Sequence, residues 1–275
     1  MKLLTNMMTR YFLSLTLLLS LAEAPQQTAA QIRQPIAADT THKYENPNGV
    51  PATIKKPFFK SKGFQATIVP AVLIGYGIST INNHGFYSSY DAKKDIRNVF
   101  GTYRNHIDNY LQFAPYLEVG GVLLAGVESR NDRVNLGLLV LKSELIMLSS
   151  VYIVKTLTAI QRPDSSANNS FPSGHTAQAF LAASIVHNEF RDKSQWYGIG
   201  AYTLATGVAA FRMINNKHWE SDVVAGAGFG ILSAHLAYLS HRNRWGRKPI
   251  GRDVSMVPMW SPAGGTGLCM TWRPK

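Results

Sequence analysis

The 275 residues carry 28 Lys and Arg against 16 Asp and Glu, a formal net charge of +12. The single cysteine, Cys269, excludes an intrachain disulfide and a cysteine-based zinc site. The basic balance points to an anionic partner, either phosphate esters or an anionic membrane surface. No basic stripe with interleaved aromatics and no standard binding motif is present, which argues against nucleic acid.

Residues 1–30 read as a secretory signal. Lys2 and Arg10 supply the positive region, and Tyr11 to Leu21 is an apolar core too short for a comfortable membrane span. Thr28-Ala29-Ala30 is a better cleavage site than Ala22-Glu23-Ala24, because Pro25 follows the latter. The competing reading is an uncleaved N-terminal anchor. Residues 31–63 are polar and Pro-rich, with Lys55, Lys56, Lys60 and Lys62 near the end, and read as an extended lead-in.

One folded domain is expected over 64–248. Its apolar or helically patterned stretches run in order: Phe64 to Ser79, Asp91 to Phe100, Gln112 to Val127, Val134 to Val154, Ser173 to Asn188, Gln195 to Phe211, and Trp219 to Ser240. No β alternation of any length interrupts them. The fold class that follows is all-α, a helical bundle of about six helices. The tail, 249–275, is rich in Pro and Gly and is expected to hold a short hairpin or nothing regular.

A bilayer span needs about 20 apolar residues. The last two helical stretches approach that, whereas Lys142 and Glu144 interrupt the one from Val134. Parity conflicts too: a cleaved signal and three crossings put the segment after Val154 inside the cytoplasm, while Arg242, Arg244, Arg247 and Lys248 put the loop before the last stretch outside. The favoured reading is an exported helical domain that rests on, or partly enters, a membrane; a full integral protein is the alternative. Glu118, Lys142 and Glu144 are expected to make polar contacts within or between helices. His84, His106, His187 and His235 have no ligand spacing.

Three segments carry the chemistry. Phe171-Pro172-Ser173-Gly174-His175-Thr176 opens a helix, with Ser173 as N-cap and Gly174 letting backbone N–H groups approach a ligand. A helix N-terminus is an anion site, and His175 would face the anion. Upstream stand Lys155 and Arg162-Pro163; downstream stand Arg212, His218 and Asp222. His218 and Asp222 are spaced i, i+4, one face if that segment is helical. Asp222 can hold one imidazole nitrogen and raise the basicity of the other, making His218 a nucleophile toward phosphorus. His175 then acts as acid and later as base. Lys155, Arg162 and Arg212 supply charge to the equatorial oxygens, with the Ser173 hydroxyl and the Gly174 N–H adding hydrogen bonds, so that neither metal nor cofactor is required.

These segments resemble the type 2 phosphatidic acid phosphatase superfamily, whose pattern is Lys-x6-Arg-Pro, then Pro-Ser-Gly-His, then Ser-Arg-x5-His-x3-Asp. Lys155 to Pro163, Pro172 to His175 and Arg212 to Asp222 keep each spacing, and Phe211 stands where the family usually has serine. The resemblance covers about 136 to 240. It implies the same roles at the same positions, and an exported member with these features is similar to lipid A or undecaprenyl-diphosphate phosphatases.

The expected activity is metal-independent hydrolysis of a lipid phosphate through a phosphohistidine, at the periplasmic side of the inner membrane. The alternatives are a soluble non-specific acid phosphatase and a non-catalytic protein that binds anionic lipid. A vanadate-dependent haloperoxidase is disfavoured by the short chain. The aromatic segment Asn83 to Tyr90 is a further candidate for a headgroup or acyl groove.

Overall fold

A computed structural model describes residues 61–242, except 83 and 86, together with the backbone of two later strands. The signal, the cleavage site and the lead-in up to residue 60 lie outside the described residues. Residues 66–275 form one compact unit; of the preceding unit, 1–65, only the last five residues are described.

Among the described residues eight helices follow in order: α1 (Lys62–Ser79), α2 (Ser89–Phe100), α3 (Asp108–Leu111), α4 (Ala114–Leu124), α5 (Arg133–Thr158), α6 (Gly174–Phe190), α7 (Gln195–Ile214) and α8 (Glu220–Leu239). The domain is all-α, as its periodicity requires. The number exceeds six because the patterned segment before Phe100 is a full helix and because α3, four residues long, is too short to leave a period in the sequence. The tail is regular where it is described: β1 (Val254–Ser261) and β2 (Gly265–Trp272) pair antiparallel, with Val254 opposite Trp272.

The helix starts are set by side chains. Ser88 and Asp91 close a reciprocal capping box on α2, Asp132 accepts from the Asn135 N–H at the start of α5, and Ser173 and Ser194 cap α6 and α7. Each satisfies a donor that a helix N-terminus leaves open. Pro115 in the first turn of α4 needs no such partner.

α6 is the central element. It is buried continuously from Thr176 to Val186, so its sequence is apolar or small all round rather than amphipathic. α7 and α8 pack most extensively against it. Glycines bring α8 unusually near: a Cβ at Gly230 would lie 2.2 Å from the Ala177 carbonyl oxygen, and one at Gly226 would lie 2.6 Å from that of Ser173. On another side of α8, a Cβ at Gly228 would meet the Pro70 carbonyl oxygen at 2.9 Å. α8 is thus wedged between α1 and α6 at backbone distance. This close packing fixes the start of α8 against the start of α6, where two of the motif segments lie.

Among the described residues, α5 and α8 are long and apolar enough to cross a membrane. α8 is mostly buried, as a core helix is; α5 is mostly not, and turns Leu141, Leu145, Leu148, Tyr152 and Leu157 outward. The expected polar contacts are present for Glu144, which accepts from the Tyr116 hydroxyl and the Gln178 amide and so joins α4, α5 and α6.

Candidate active site

The site assembles at the N-termini of α6 and α8 and the C-terminal ends of α5 and α7. Lys155 lies in the last turn of α5 and Arg212 in the last turn of α7, while Arg162 sits on the loop between α5 and α6. Gly174 opens α6, and His175 follows it in the first turn.

His218 and Asp222 meet, but not as two residues on one helical face. α8 starts at Glu220, so His218 precedes it in a bend, and the contact spans the helix N-terminus. His218 Nδ1 lies 3.2 Å from Asp222 Oδ2. The same carboxylate oxygen accepts the Trp219 N–H at 2.8 Å, as an acid at the third helical position does, and accepts the Ser170 hydroxyl as well. Asp222 is fully buried, and its Oδ1 has no partner among the described residues. Three donors on one oxygen hold the carboxylate in a single orientation. The Asp222 carbonyl in turn accepts from the Ser173 N–H at 2.9 Å, tying α8 to the cap of α6.

Ser173 is also fully buried, and its hydroxyl accepts from the Thr176 N–H and hydroxyl. Space stands open at Gly174, where an added Cβ would meet nothing within 4 Å. Lys155 Nζ donates to the carbonyls of Asn169, at 2.6 Å, and Ser170, at 3.3 Å. Arg162 Nε donates to Asn169 Oδ1 at 2.9 Å. Arg212 is buried and paired with Asp108 at 2.7 Å; the second Asp108 oxygen accepts from Asn215 at 3.0 Å. Arg212 Nε has no partner among the described residues. A guanidinium held at Nη1 by a carboxylate keeps its Nε edge for an anion. His175 Nε2 lies 3.0 Å from Asn109 Oδ1.

Burial first, and the Arg212 charge beside it, lower both histidines from 6.5 to about 4. For His218 the Asp222 carboxylate opposes the fall without reversing it. Both rings are therefore neutral at pH 7. With its Nδ1 hydrogen given to Asp222, His218 keeps a lone pair on Nε2. Burial is also the largest cause holding Arg162 below its ordinary value.

Sequence reasoning missed four contributors. Asn169 and Ser170 lie just before the Pro-Ser-Gly-His run, and that adjacency was the available signal. Asp108 and Asn109 stand far upstream, and no spacing links them to the motifs. Of the aromatic segment, the Tyr87 hydroxyl donates to Asp95 at 2.8 Å, and the Tyr90 ring packs 4.9 Å from Trp219, next to His218. Trp219 is anchored by its indole N–H on the Gln161 carbonyl and carries Lys93 over its ring at 4.9 Å.

Residues 140–246, the stretch that holds all three motif segments, match the model of the PAP2 superfamily. Among curated proteins, the chain is similar to lipid A 1-phosphatase of Porphyromonas gingivalis, 36% identical over 141 residues, covering 50% of this chain and 31% of the relative. The chain thus spans about a third of that relative's length. Among solved structures it is similar to Aquifex aeolicus LpxE, at a TM-score of 0.42 and 19% identity over 58% of this chain and 99% of that one. It is similar also to the first transmembrane PAP2 type phosphatidylglycerolphosphate phosphatase from Bacillus subtilis, at 0.39 and 18% over 62% and 94%.

Proposed function

We propose that the chain is a phosphatase that hydrolyses a lipid phosphate, of the lipid A or undecaprenyl-diphosphate type, through a phosphohistidine. The observation that carries this reading is the buried His218–Asp222 pair, its imidazole held neutral by burial, set among Lys155, Arg162 and Arg212 beside the first turn of α6. The curated relative named as a lipid A 1-phosphatase supports a lipid substrate. The outward apolar face of α5 supports a place at a membrane, and the signal-like pattern of residues 1–30 supports a position on its periplasmic side.

In the first step His218 Nε2 attacks phosphorus, the phosphorus–oxygen bond to the lipid breaks, and His175 gives a proton to the departing oxygen. A phosphate ester in the site is negatively charged and raises the His175 pKa from about 4, so the bound substrate itself loads the acid. In the second step His175 takes a proton from water, the water oxygen bonds to phosphorus, and the phosphorus–nitrogen bond breaks. Asp222 offsets the positive charge that His218 acquires in between. Lys155, Arg162 and the Nε edge of Arg212 hold the equatorial oxygens, with the open backbone at Gly174.

The test is phosphate release from a panel: lipid A, undecaprenyl diphosphate, phosphatidate, phosphatidylglycerol phosphate and an aryl phosphate, with and without EDTA. Turnover of at least one lipid, insensitive to EDTA and abolished by His218→Ala, is the expected result. Activity retained by His218→Ala overturns the nucleophile, and preference for the aryl phosphate over every lipid favours a non-specific acid phosphatase.

A further inference from the structure

His175, the acid and base of the reaction proposed above, is held by a residue from outside the three motif segments. Its Nε2 lies 3.0 Å from Asn109 Oδ1. An amide oxygen accepts a hydrogen bond but does not take the proton, so this nitrogen carries a hydrogen in both charge states of the ring. The hydrogen on Nε2 is thus engaged and is not the one traded with a substrate. The other nitrogen, Nδ1, is the one nearer the main chain. The main chain of His175 is the first turn of α6, beside the open space at Gly174.

Asn109 is itself exposed, but the short helix that carries it is tied down. Its neighbour Asp108 is buried, with one carboxylate oxygen on Arg212 at 2.7 Å and the other on the Asn215 amide at 3.0 Å. Asn215 Oδ1 accepts the Asn105 N–H at 2.9 Å, and Gln112 Nε2 donates to the Asn109 carbonyl at 2.7 Å. A single turn of helix therefore reaches Arg212 with one side chain and His175 with the next. The charged and titratable groups that face the His175 ring are Arg212 from α7, Asp108 from α3, His218 from the bend before α8 and Arg162 from the loop between α5 and α6. They bias how readily the ring gains a proton; a hydrogen bond is what selects the nitrogen that holds it.

We infer that Asn109 is a positioning residue for His175: by holding the Nε2 hydrogen it fixes the orientation and tautomer of the ring and makes Nδ1 the nitrogen that exchanges protons with the substrate. This rests on the phosphatase reading. In the first step Nδ1–H passes its proton to the departing lipid oxygen as the phosphorus–oxygen bond breaks and the bond from phosphorus to His218 forms. Nε2 keeps its hydrogen on Asn109. In the second step Nδ1 takes a proton from the water whose oxygen bonds to phosphorus, and the bond to His218 breaks, so the ring ends as it began. In both steps Asn109 acts through the ring.

The experiment uses the full chain in detergent micelles, as wild type, Asn109→Leu and Asn109→Asp. Leucine has nearly the size of the amide and no acceptor; aspartate keeps an acceptor and has no donor. The substrates are phosphatidate or lipid A, whichever the wild type cleaves faster, and 4-nitrophenyl phosphate, whose departing oxygen needs no proton. Asn109→Leu is expected to lower kcat/KM for the lipid about thirtyfold, through kcat rather than KM, and for the aryl phosphate by about threefold at most. Asn109→Asp is expected to recover about tenfold of the loss on the lipid. Melting temperatures of both variants should stay within about 2 °C of wild type. Nitrogen-15 spectra of labelled histidine, assigned with His175→Gln, read the tautomer directly. At pH 7 the wild type should show a protonated Nε2 and a bare Nδ1 on His175; in Asn109→Asp, Nε2 should keep its hydrogen and the ring should titrate about one pH unit higher. A bare Nε2 in the wild type overturns the inference. So do equal losses on the two substrates, an Asn109→Leu variant as active as wild type, and an Asn109→Asp variant no better than Asn109→Leu; each leaves the phosphatase reading intact. If the wild type releases phosphate from no substrate, the phosphatase reading fails, and the nitrogen-15 spectrum still decides whether Asn109 holds the Nε2 hydrogen.

Discussion

The Asp222→Asn substitution separates charge from shape at the centre of the site. The amide is nearly isosteric with the carboxylate, and its oxygen can keep the three donors now gathered on Oδ2, from Ser170, His218 and Trp219. Its nitrogen would take the place of Oδ1, which has no partner among the described residues. What the variant loses is the negative charge opposite His218 when that ring turns positive on bonding to phosphorus. At the observed 3.2 Å, a unit charge pair is worth about 5 kcal/mol at an effective dielectric constant of about 20. Spread over the barrier, that is roughly three to four powers of ten in rate. Stability should move little, since an unpaired buried donor replaces an unpaired buried acceptor and one buried charge is removed. The assay is kcat for phosphate release beside thermal unfolding of the same preparations. A variant within tenfold of wild type in kcat, with its melting temperature unchanged, would refute the claim that the Asp222 charge stabilises the reacting His218.

Asp108→Ala leaves Arg212 buried without its carboxylate, and about 3–5 kcal/mol of stability should be lost; thermal unfolding measures it, and Asp108→Asn should recover part. Gly230→Ala puts a methyl group 2.2 Å from the Ala177 carbonyl oxygen, backbone that cannot swing aside, so α6 and α8 must separate. A loss of about 1–3 kcal/mol or more is expected, with activity falling too because the same two helices carry His175 and Asp222. The pH dependence of stability follows from His218, whose folded value near 4 lies below the ordinary 6.5. Between those values the unfolded chain binds more protons, so the contribution is complete above about pH 6.5 and lost as pH falls through 4. His218→Gln should flatten the acid side of a plot of unfolding free energy against pH by about one proton's slope; an unchanged slope would show that the ring is not buried neutral.

The sequence by itself determined which residue types stand at the candidate site. The intervals from Lys155 to Arg162 and from Arg212 through His218 to Asp222 are local, so residue types and spacing carry them without any knowledge of distant contacts. The helices were legible for a related reason: a period of 3.6 and capping residues such as Ser173 are properties of neighbouring positions. The tertiary structure decided the rest. α3 is one turn long and leaves no period, and what gives it meaning is a buried carboxylate reaching Arg212 and an amide reaching His175. Glycines 226 and 230 look like poor helix residues in sequence, and only the approach of α6 to within backbone distance shows why they are there. The pairing of His218 with Asp222 was legible as an interval, but its geometry was not, because the helix begins between the two residues and the contact crosses its N-terminus. Local order sets which groups are present; burial and long-range contact set which oxygen each one faces, and therefore which of them are free to hold a phosphate.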